Sequence, residues 1–177
     1  APASGNPLCR KLKEKGASVE EMDRLFLARV GKSGPYDLFR DRVMFPICDP
    51  GGNVIAFGGR ALQKEQQPKY LNSGETPLFK KSHTLYGLHL TRREIFASRS
   101  AVVVEGYMDL LALYQHGIKN VVAVLGTAFT PGHADLLKNR VDDITLFFDN
   151  DEAGQRATIR SLEQLFNTGI NTWVVVN

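Results

Sequence analysis

Acidic side chains follow two strand-like apolar runs in the second half of the chain. Glu105 comes directly after the run AVVV and is followed by Asp109, while Asp149 and Asp151 follow the run ITLFF. Carboxylate oxygens are the donors that Mg²⁺ and Mn²⁺ prefer, and a cation held by a few of them keeps positions for water and phosphate oxygens. These residue types therefore suit phosphoryl transfer, in which a bound cation activates one oxygen and neutralises the departing one.

The elements that carry these carboxylates are predicted to form a parallel sheet. Apolar runs of this length are typical of strands buried on both faces, and their alternation with helical segments indicates βαβ units. Carboxyl ends of such strands are where open α/β sheets bind ligands. Glu105 would join the two aspartates if its strand and theirs are neighbours. We predict strands at 102–104, 121–125, 144–148 and 172–176, and helices at 109–116, 131–140 and 152–167, with Thr130 capping the second helix.

A structural interpretation of Asp149-Asn150-Asp151 stays open beside the metal hypothesis. Asp and Asn after a strand are ordinary turn and helix-capping residues, and acidic groups favour a helix N-terminus. Glu105 strengthens the metal hypothesis, since three converging carboxylates without a cation would repel one another. The four histidines are scattered singly and are interpreted as surface or packing residues: His83, His89, His116 and His133.

The first half of the chain predicts a smaller α+β region. Two short helices are expected before residue 30, the second capped by Ser18 with Glu21 in a capping box. A hairpin is expected from 43–48 and 53–58 around the turn DPGGN, with Arg40 and Arg42 projecting from one face and Arg60 after a Gly-Gly pair. A linking helix LHLTRREIFASRS would be capped by Thr91.

The segment QPKYLNSGETPLFKKSHTLYGL is rich in turn residues and carries Lys69, Tyr70, Asn72, Lys80 and Lys81. From spacing alone it is either a loop with surface lysines or a nucleic-acid surface. Charge is distributed unevenly, because residues 1–100 hold 17 Lys and Arg against 10 Asp and Glu, whereas residues 101–177 hold 5 against 9. This asymmetry suits a polyanion on one part and a divalent metal on the other.

The remaining composition limits the class of protein. No apolar run approaches the roughly 20 residues that span a bilayer, and the first residues lack the features of a secretory signal. Cys9 and Cys48 stand apart, without a CxxC or a histidine at metal-ligand spacing. We therefore expect a cytoplasmic protein with no membrane association, no disulfide and no zinc site in this stretch.

Three motifs resemble the Toprim domain of bacterial replicative DNA primases of the DnaG type: EGYMD at 105–109, LGTA at 125–128 and DNDEAGQRA at 149–157. The preceding blocks are similar to the basic subdomain before Toprim in that family: FRDRVMFPI, IAFGGRAL, PKYLNSGETPLF and LYGL. The resemblance implies an α/β fold with a Toprim-type, mostly parallel sheet flanked by helices, preceded by a smaller basic α+β subdomain. We place the two domains at 1–95 and 96–177.

The resemblance also implies roles for individual residues. Glu105, Asp149 and Asp151 match the metal-binding and catalytic acids, and Asp109 matches the acidic residue that closes the first motif. A basic and polar set matches a surface that holds template or nucleotide: Arg40, Arg42, Arg60, Lys69, Tyr70, Asn72, Lys80 and Lys81.

The activity implied is Mg²⁺- or Mn²⁺-dependent synthesis of short RNA primers from ribonucleoside triphosphates on single-stranded DNA, during replication. We expect the chain to be a catalytic-core fragment that ends before a further acidic motif, with zinc binding and contact with the replicative helicase in domains outside it. Two alternatives stay open: another Toprim enzyme, such as a nuclease or topoisomerase, and a non-catalytic module that binds single-stranded DNA.

Overall fold

The computed structural model describes residues 1–3, 5–166 and 168–176. The chain divides into two compact units, one formed by Ala1–Ile47 and Val54–Phe79 and the other by Cys48–Asn53 and Lys80–Asn177. The domain boundary expected between residues 95 and 96 stays a prediction. In the part of the chain that is described, no helix is both long and apolar enough to cross a membrane.

The first unit contains two short helices and two antiparallel sheets. Helices α1 (Pro7–Glu14) and α2 (Val19–Arg24) precede a hairpin of β1 (Ala28–Gly31) and β2 (Gly34–Asp37). The second sheet has the order β3-β4-β5, from β3 (Arg42–Cys48), β4 (Val54–Ala61) and β5 (Tyr70–Asn72). Both expected helices are confirmed, as is the capping box of Ser18 and Glu21. The hairpin around DPGGN is also confirmed.

Two strand features of this unit were not predicted. Helix α2 ends at Arg24 and Phe26 takes a φ of 55°, so the apolar residues after Met22 do not continue the helix. Strand β1 then pairs with β2 through a two-residue turn, with Gly31 opposite Gly34 at a φ of 105°. Strand β5 lies in the turn-rich segment for which no strand was predicted, and pairs with β4.

The second unit is a four-stranded parallel sheet with helices against both faces. Its elements are α3 (Leu88–Ser98), β6 (Ser100–Val104), α4 (Tyr107–Gln115), β7 (Val121–Ala123), α5 (Pro131–Leu137), β8 (Asp143–Leu146), α6 (Glu152–Leu165) and β9 (Asn171–Val174). The strand order is β7-β6-β8-β9, and all three pairings are parallel. The expected α/β class is therefore confirmed.

Alternate side chains of the strands fill separate cores. Val103 and Ile144 pack with residues of α3, α5 and α6, whereas Val104 and Val121 pack with Leu110 of α4. Period-2 alternation of strand side chains thus covers both faces of the sheet, which explains why these strands are apolar throughout.

Several helix ends in this unit differ from expectation, and α4 spans Tyr107–Gln115 instead of 109–116. Thr91 does not cap α3, because the helix begins after Gly87, whose φ is 84°, and the Thr91 hydroxyl donates to the Gly87 carbonyl from inside the helix. Helix α5 ends at Leu137 rather than at residue 140. Thr130 caps α5 as expected, while the expected end of α6 at Asn167 lies outside the described residues.

Candidate active site

The neighbouring strands β6 and β8 bring the two acidic segments to one end of the sheet. Val103 pairs with Leu146, and the Phe147 N–H continues the ladder by donating to the Val103 carbonyl at 2.9 Å. Glu105 follows the last residue of β6, and Asp149 lies just beyond this last rung. The condition set by the sequence, that these strands be neighbours, is confirmed.

Glu105 and the Asp149 segment are in direct contact. The Asp149 N–H donates to Glu105 Oε1 at 3.0 Å. Gly154, in the first turn of α6, closes over the same place: a Cβ there would lie 2.0 Å from the Asp149 carbonyl oxygen and 2.8 Å from Glu105 Oε1. Glycine at 154 therefore permits a backbone approach that no other residue type allows, and it packs the start of α6 against both acidic segments.

The other two carboxylates cap helices. Asp151 is the N-cap of α6, and its Oδ1 accepts the Gly154 N–H at 2.8 Å. Asp109 Oδ2 accepts the Gly106 N–H at 3.0 Å, which fixes the turn between Glu105 and α4. Both aspartates therefore have a structural role. They retain acceptor sites for a cation, because an ionised carboxylate has about four acceptor sites and each of these hydrogen bonds occupies one.

Electrostatics single out Glu105 among the four acids. Burial raises the pKa of Glu105, and the charges of Asp149, Asp151 and Asp109 raise that pKa further, against the opposing hydrogen bond from the Asp149 N–H. Because the raised pKa favours the protonated form, ionisation of Glu105 as pH rises through it costs folded-state stability. A cation bound among these carboxylates would restore that stability.

These carboxylates have the donor atoms that a hard divalent cation requires, but their side chains are not arranged to coordinate one. Every nearby donor is a carboxylate oxygen, as Mg²⁺ or Mn²⁺ requires, and the side chains repel one another electrostatically. Among residues 1–3, 5–166 and 168–176, no three His, Cys, Asp or Glu side chains are grouped closely enough to hold a metal. Coordination by Glu105, Asp149 and Asp151 thus requires side-chain rotation about a backbone that already places them together.

Arg42 differs most from its expected place. It is 4% exposed, and its guanidinium donates to the backbone carbonyls of Gly59 and Lys69 at 3.3 and 3.4 Å. Arg40 is exposed and lies over the Tyr36 ring at 5.0 Å. The expectation that Arg40 and Arg42 project from one face is therefore wrong, because the Arg42 side chain points into the interior of the first unit, whereas Arg40 is exposed.

Tyr70 is flanked by two cations in the β4–β5 pair. Arg60 lies directly opposite Tyr70 in the register, with its guanidinium 6.0 Å from the ring centroid, and the Lys69 ammonium is 5.8 Å from the same ring. The tyrosine is 38% exposed. Asn72 follows on the same strand, opposite Gly58. This cluster combines positive charge with an accessible aromatic face, as a nucleic-acid surface requires.

Lys80 and Lys81 belong to the second unit, so the predicted basic set is divided between the two units. Lys80 is exposed, and Lys81 begins a short 3₁₀ turn that ends at His83. The turn is held by His133, a buried residue that the sequence placed among unremarkable histidines. The signal that was available is the T-P-G-H spacing, in which His133 occupies the third helical position, where a capping box normally has Glu or Gln.

The parallel sheet and its acidic end lie within a match to a known domain family. The Toprim domain model matches residues 99–176, which contain β6 to β9 and all four carboxylates. The model of the DNA primase catalytic core, N-terminal domain, matches residues 1–92. The chain therefore belongs to the family of DNA primase catalytic cores, and the expected resemblance is confirmed.

Relatives and solved structures agree with this membership. The DNA primase of Clostridium acetobutylicum is 43% identical over 164 residues, which are 93% of this chain and 27% of that protein. The RNA polymerase domain of Mycobacterium tuberculosis primase DnaG superimposes with a TM-score of 0.88 at 34% identity, over 100% of this chain and 60% of that one. A DnaG primase catalytic domain bound to single-stranded DNA superimposes with a TM-score of 0.82 at 38% identity, over 94% of this chain and 54% of that one. The chain spans about a quarter of the length of the curated relatives it matches.

Proposed function

We propose that this chain forms part of the catalytic core of a DNA-directed RNA polymerase that makes short RNA primers on single-stranded DNA during replication. The observation that carries the proposal is the contact of Glu105 with the Asp149 segment at the ends of two neighbouring parallel strands. Family membership supplies the reaction class. The contact of Glu105 with the Asp149 segment supports the proposal that ribonucleotide transfer occurs at this end of the sheet.

Glu105, Asp149 and Asp151 are the residues proposed to hold Mg²⁺ or Mn²⁺. When bound, the cation supplies charge neutralisation for the triphosphate and for the attacking 3′-oxygen of the primer. The chain's own part is positioning: the Asp149 N–H orients Glu105, and Asp109 holds the turn that follows Glu105. Gly154 keeps the start of α6 close enough for Asp151 to share the site.

The basic residues of the first unit other than the buried Arg42 are proposed to hold the template. Arg60 and Lys69 would neutralise phosphates, and the exposed face of Tyr70 offers a stacking surface for a base. The single-stranded DNA in the neighbouring primase structure supports this proposal. Lys80 and Lys81 are proposed to contact nucleotide or template phosphates. Ribonucleoside triphosphates, the RNA primer and the replicative helicase are the further partners proposed for the full-length protein, in the bacterial cytoplasm, with zinc held outside residues 1–177.

Primer synthesis by the full-length parent protein tests the assignment. Asp149→Ala is expected to lower template-dependent ribonucleotide incorporation by a factor on the order of 10² or more, because a ligand of the reacting centre is lost. Asp135→Ala, an exposed aspartate on α5, is the matched control and is expected to leave incorporation unchanged. Undiminished synthesis by the Asp149 variant would remove Asp149 from the site. Metal-independent DNA binding with no synthesis by the parent itself would favour a binding module.

A further inference from the structure

The short segment that carries Lys80 and Lys81 is fastened to the start of α5. The Thr130 hydroxyl donates to the Ser82 carbonyl at 2.5 Å, and the Thr84 hydroxyl donates to the Lys80 carbonyl at 2.8 Å. A Cβ at Gly132 would lie 2.4 Å from the Ser82 carbonyl oxygen, so the segment runs directly against the backbone of the helix. The main chain around both lysines is thus held in one path.

His133 is the centre of this attachment. Its side chain is completely buried, and its Nε2 lies 2.7 Å from the Lys81 carbonyl oxygen. The Thr130 N–H donates to Nδ1 at 3.2 Å, so Nδ1 is the acceptor nitrogen. The single ring proton of the neutral imidazole is therefore on Nε2, where it donates to the Lys81 carbonyl.

The surroundings keep this tautomer in place. Burial lowers the pKa of His133 and nearby His83 lowers it further, against the opposing hydrogen bond to the Lys81 carbonyl, so the neutral ring is favoured. The Phe129 ring packs against the imidazole with its centroid 5.5 Å away. A neutral, immobile ring with a defined proton forms a fixed link between the N-cap of α5 and the backbone of Lys81.

We propose that His133 is a positioning residue that holds Lys81 in the orientation in which it contacts nucleic-acid phosphate. The inference rests on the nucleic-acid role of Lys81 in the proposed function. A lysine on a fixed backbone loses less conformational freedom on binding than one on a mobile loop, and that difference appears as affinity. His133 acts through the Lys81 carbonyl and contacts no substrate itself.

Two substitutions at position 133 separate positioning from packing. Gln can place its amide nitrogen near the position of Nε2 and donate to the Lys81 carbonyl, whereas the shorter Asn reaches only the Thr130 N–H. In the full-length protein, His133→Asn is expected to weaken single-stranded DNA binding about three- to tenfold, as loss of one phosphate contact would. His133→Gln is expected to restore most of the affinity.

A double-mutant cycle identifies the lysine through which His133 acts. We expect the double variant His133→Asn/Lys81→Ala to bind no more weakly than Lys81→Ala alone, because both changes remove the same contact. His133→Asn/Lys69→Ala is the matched control, and its two effects are expected to multiply. Multiplying effects of His133 and Lys81 would overturn the inference.

Trypsin cleavage supplies a readout that does not depend on DNA binding. Cleavage after Lys80 and Lys81, followed by mass spectrometry, is expected to rise several-fold in His133→Asn and to stay at the parent rate in His133→Gln, with cleavage after exposed Lys64 unchanged in both. Unchanged cleavage in His133→Asn would overturn the inference. Failure of the proposed function is distinguishable, since Lys81→Ala would then bind DNA as tightly as the parent, while the cleavage rates would still report whether His133 holds the segment.

Discussion

The two units use different arrangements to place charge. In the second unit, four carboxylates gather at the ends of β6 and β8, and three of them accept a backbone N–H: Asp109 and Asp151 from three residues away, and Glu105 from Asp149 on the neighbouring segment. In the first unit, Arg60 of β4 and Lys69, which directly precedes β5, flank one tyrosine. Chemistry at a reacting atom demands fixed positions, whereas phosphate binding tolerates a distributed set of cations. Primer synthesis should therefore fall sharply after small changes in the second unit, whereas DNA affinity should fall gradually as cations of the first unit are removed.

Among substitutions that leave all four carboxylates in place, Gly154→Ala should give the largest effect, because one methyl group enters the most crowded part of the acidic site. The new Cβ would meet the Asp149 carbonyl oxygen at 2.0 Å, so α6 or the Asp149 segment must move. We expect primer synthesis by the full-length protein to fall at least about tenfold and the free energy of unfolding to drop by about 2–4 kcal/mol.

Gly169→Ala provides a contrast, since no atom lies within 4 Å of a Cβ there although its φ is 73°. It should leave primer synthesis unchanged and cost only about 1 kcal/mol of stability through backbone strain. Equal loss of synthesis in the two variants would contradict the special place of Gly154.

Arg42→Ala should reveal that one cation of the basic unit is structural. The substitution leaves the carbonyls of Gly59 and Lys69 without their donor and removes a buried stem, so the free energy of unfolding should fall by about 2–3 kcal/mol in a urea titration. Single-stranded DNA affinity of the folded protein should change less than about twofold. The exposed Arg40→Ala is the control and should stay within about 0.5 kcal/mol of the parent. A large affinity loss at unchanged stability would return Arg42 to the binding surface.

Lys69→Ala should give the smallest effect and identify a cation used for binding. Removing one phosphate contact should weaken single-stranded DNA binding about threefold and reduce the slope of log affinity against log salt by about 0.7, with unfolding unchanged. Lys64→Ala tests whether any exposed lysine nearby does the same, and we expect its slope to match the parent. Identical slopes for Lys69→Ala and the parent would remove Lys69 from the template surface.

The parallel sheet and its acidic end were predictable from sequence because continuous apolar runs have one common use, as strands buried on both faces. The place of Glu105 beside Asp149 followed once β6 and β8 were neighbours. The β1–β2 hairpin was not predictable in the same way, because apolar residues from Met22 to Ala28 fit helical spacing and only the pairing of Gly31 with Gly34 decides between the two.

Side-chain direction was the weakest part of the sequence-based prediction. Alternation along an extended segment placed Arg40 and Arg42 on one face, but Asp41 between them has a φ of 50°, and this left-handed residue breaks the alternation. The role of His133 was not predicted for another reason, since a lone histidine carries no periodic signal and its partner Lys81 lies about 50 residues earlier. Long-range hydrogen bonds of this kind depend on the tertiary fold.

The central claim is that the carboxylates at the ends of β6 and β8 form a divalent-cation site, and Mn²⁺ binding measured by electron paramagnetic resonance tests it most directly. The account predicts saturable Mn²⁺ binding that weakens about tenfold or more in Glu105→Gln and in Asp149→Asn, with Asp135→Asn binding as the parent does. Mn²⁺ binding that is equally tight in the parent and in the Glu105 and Asp149 variants would contradict it.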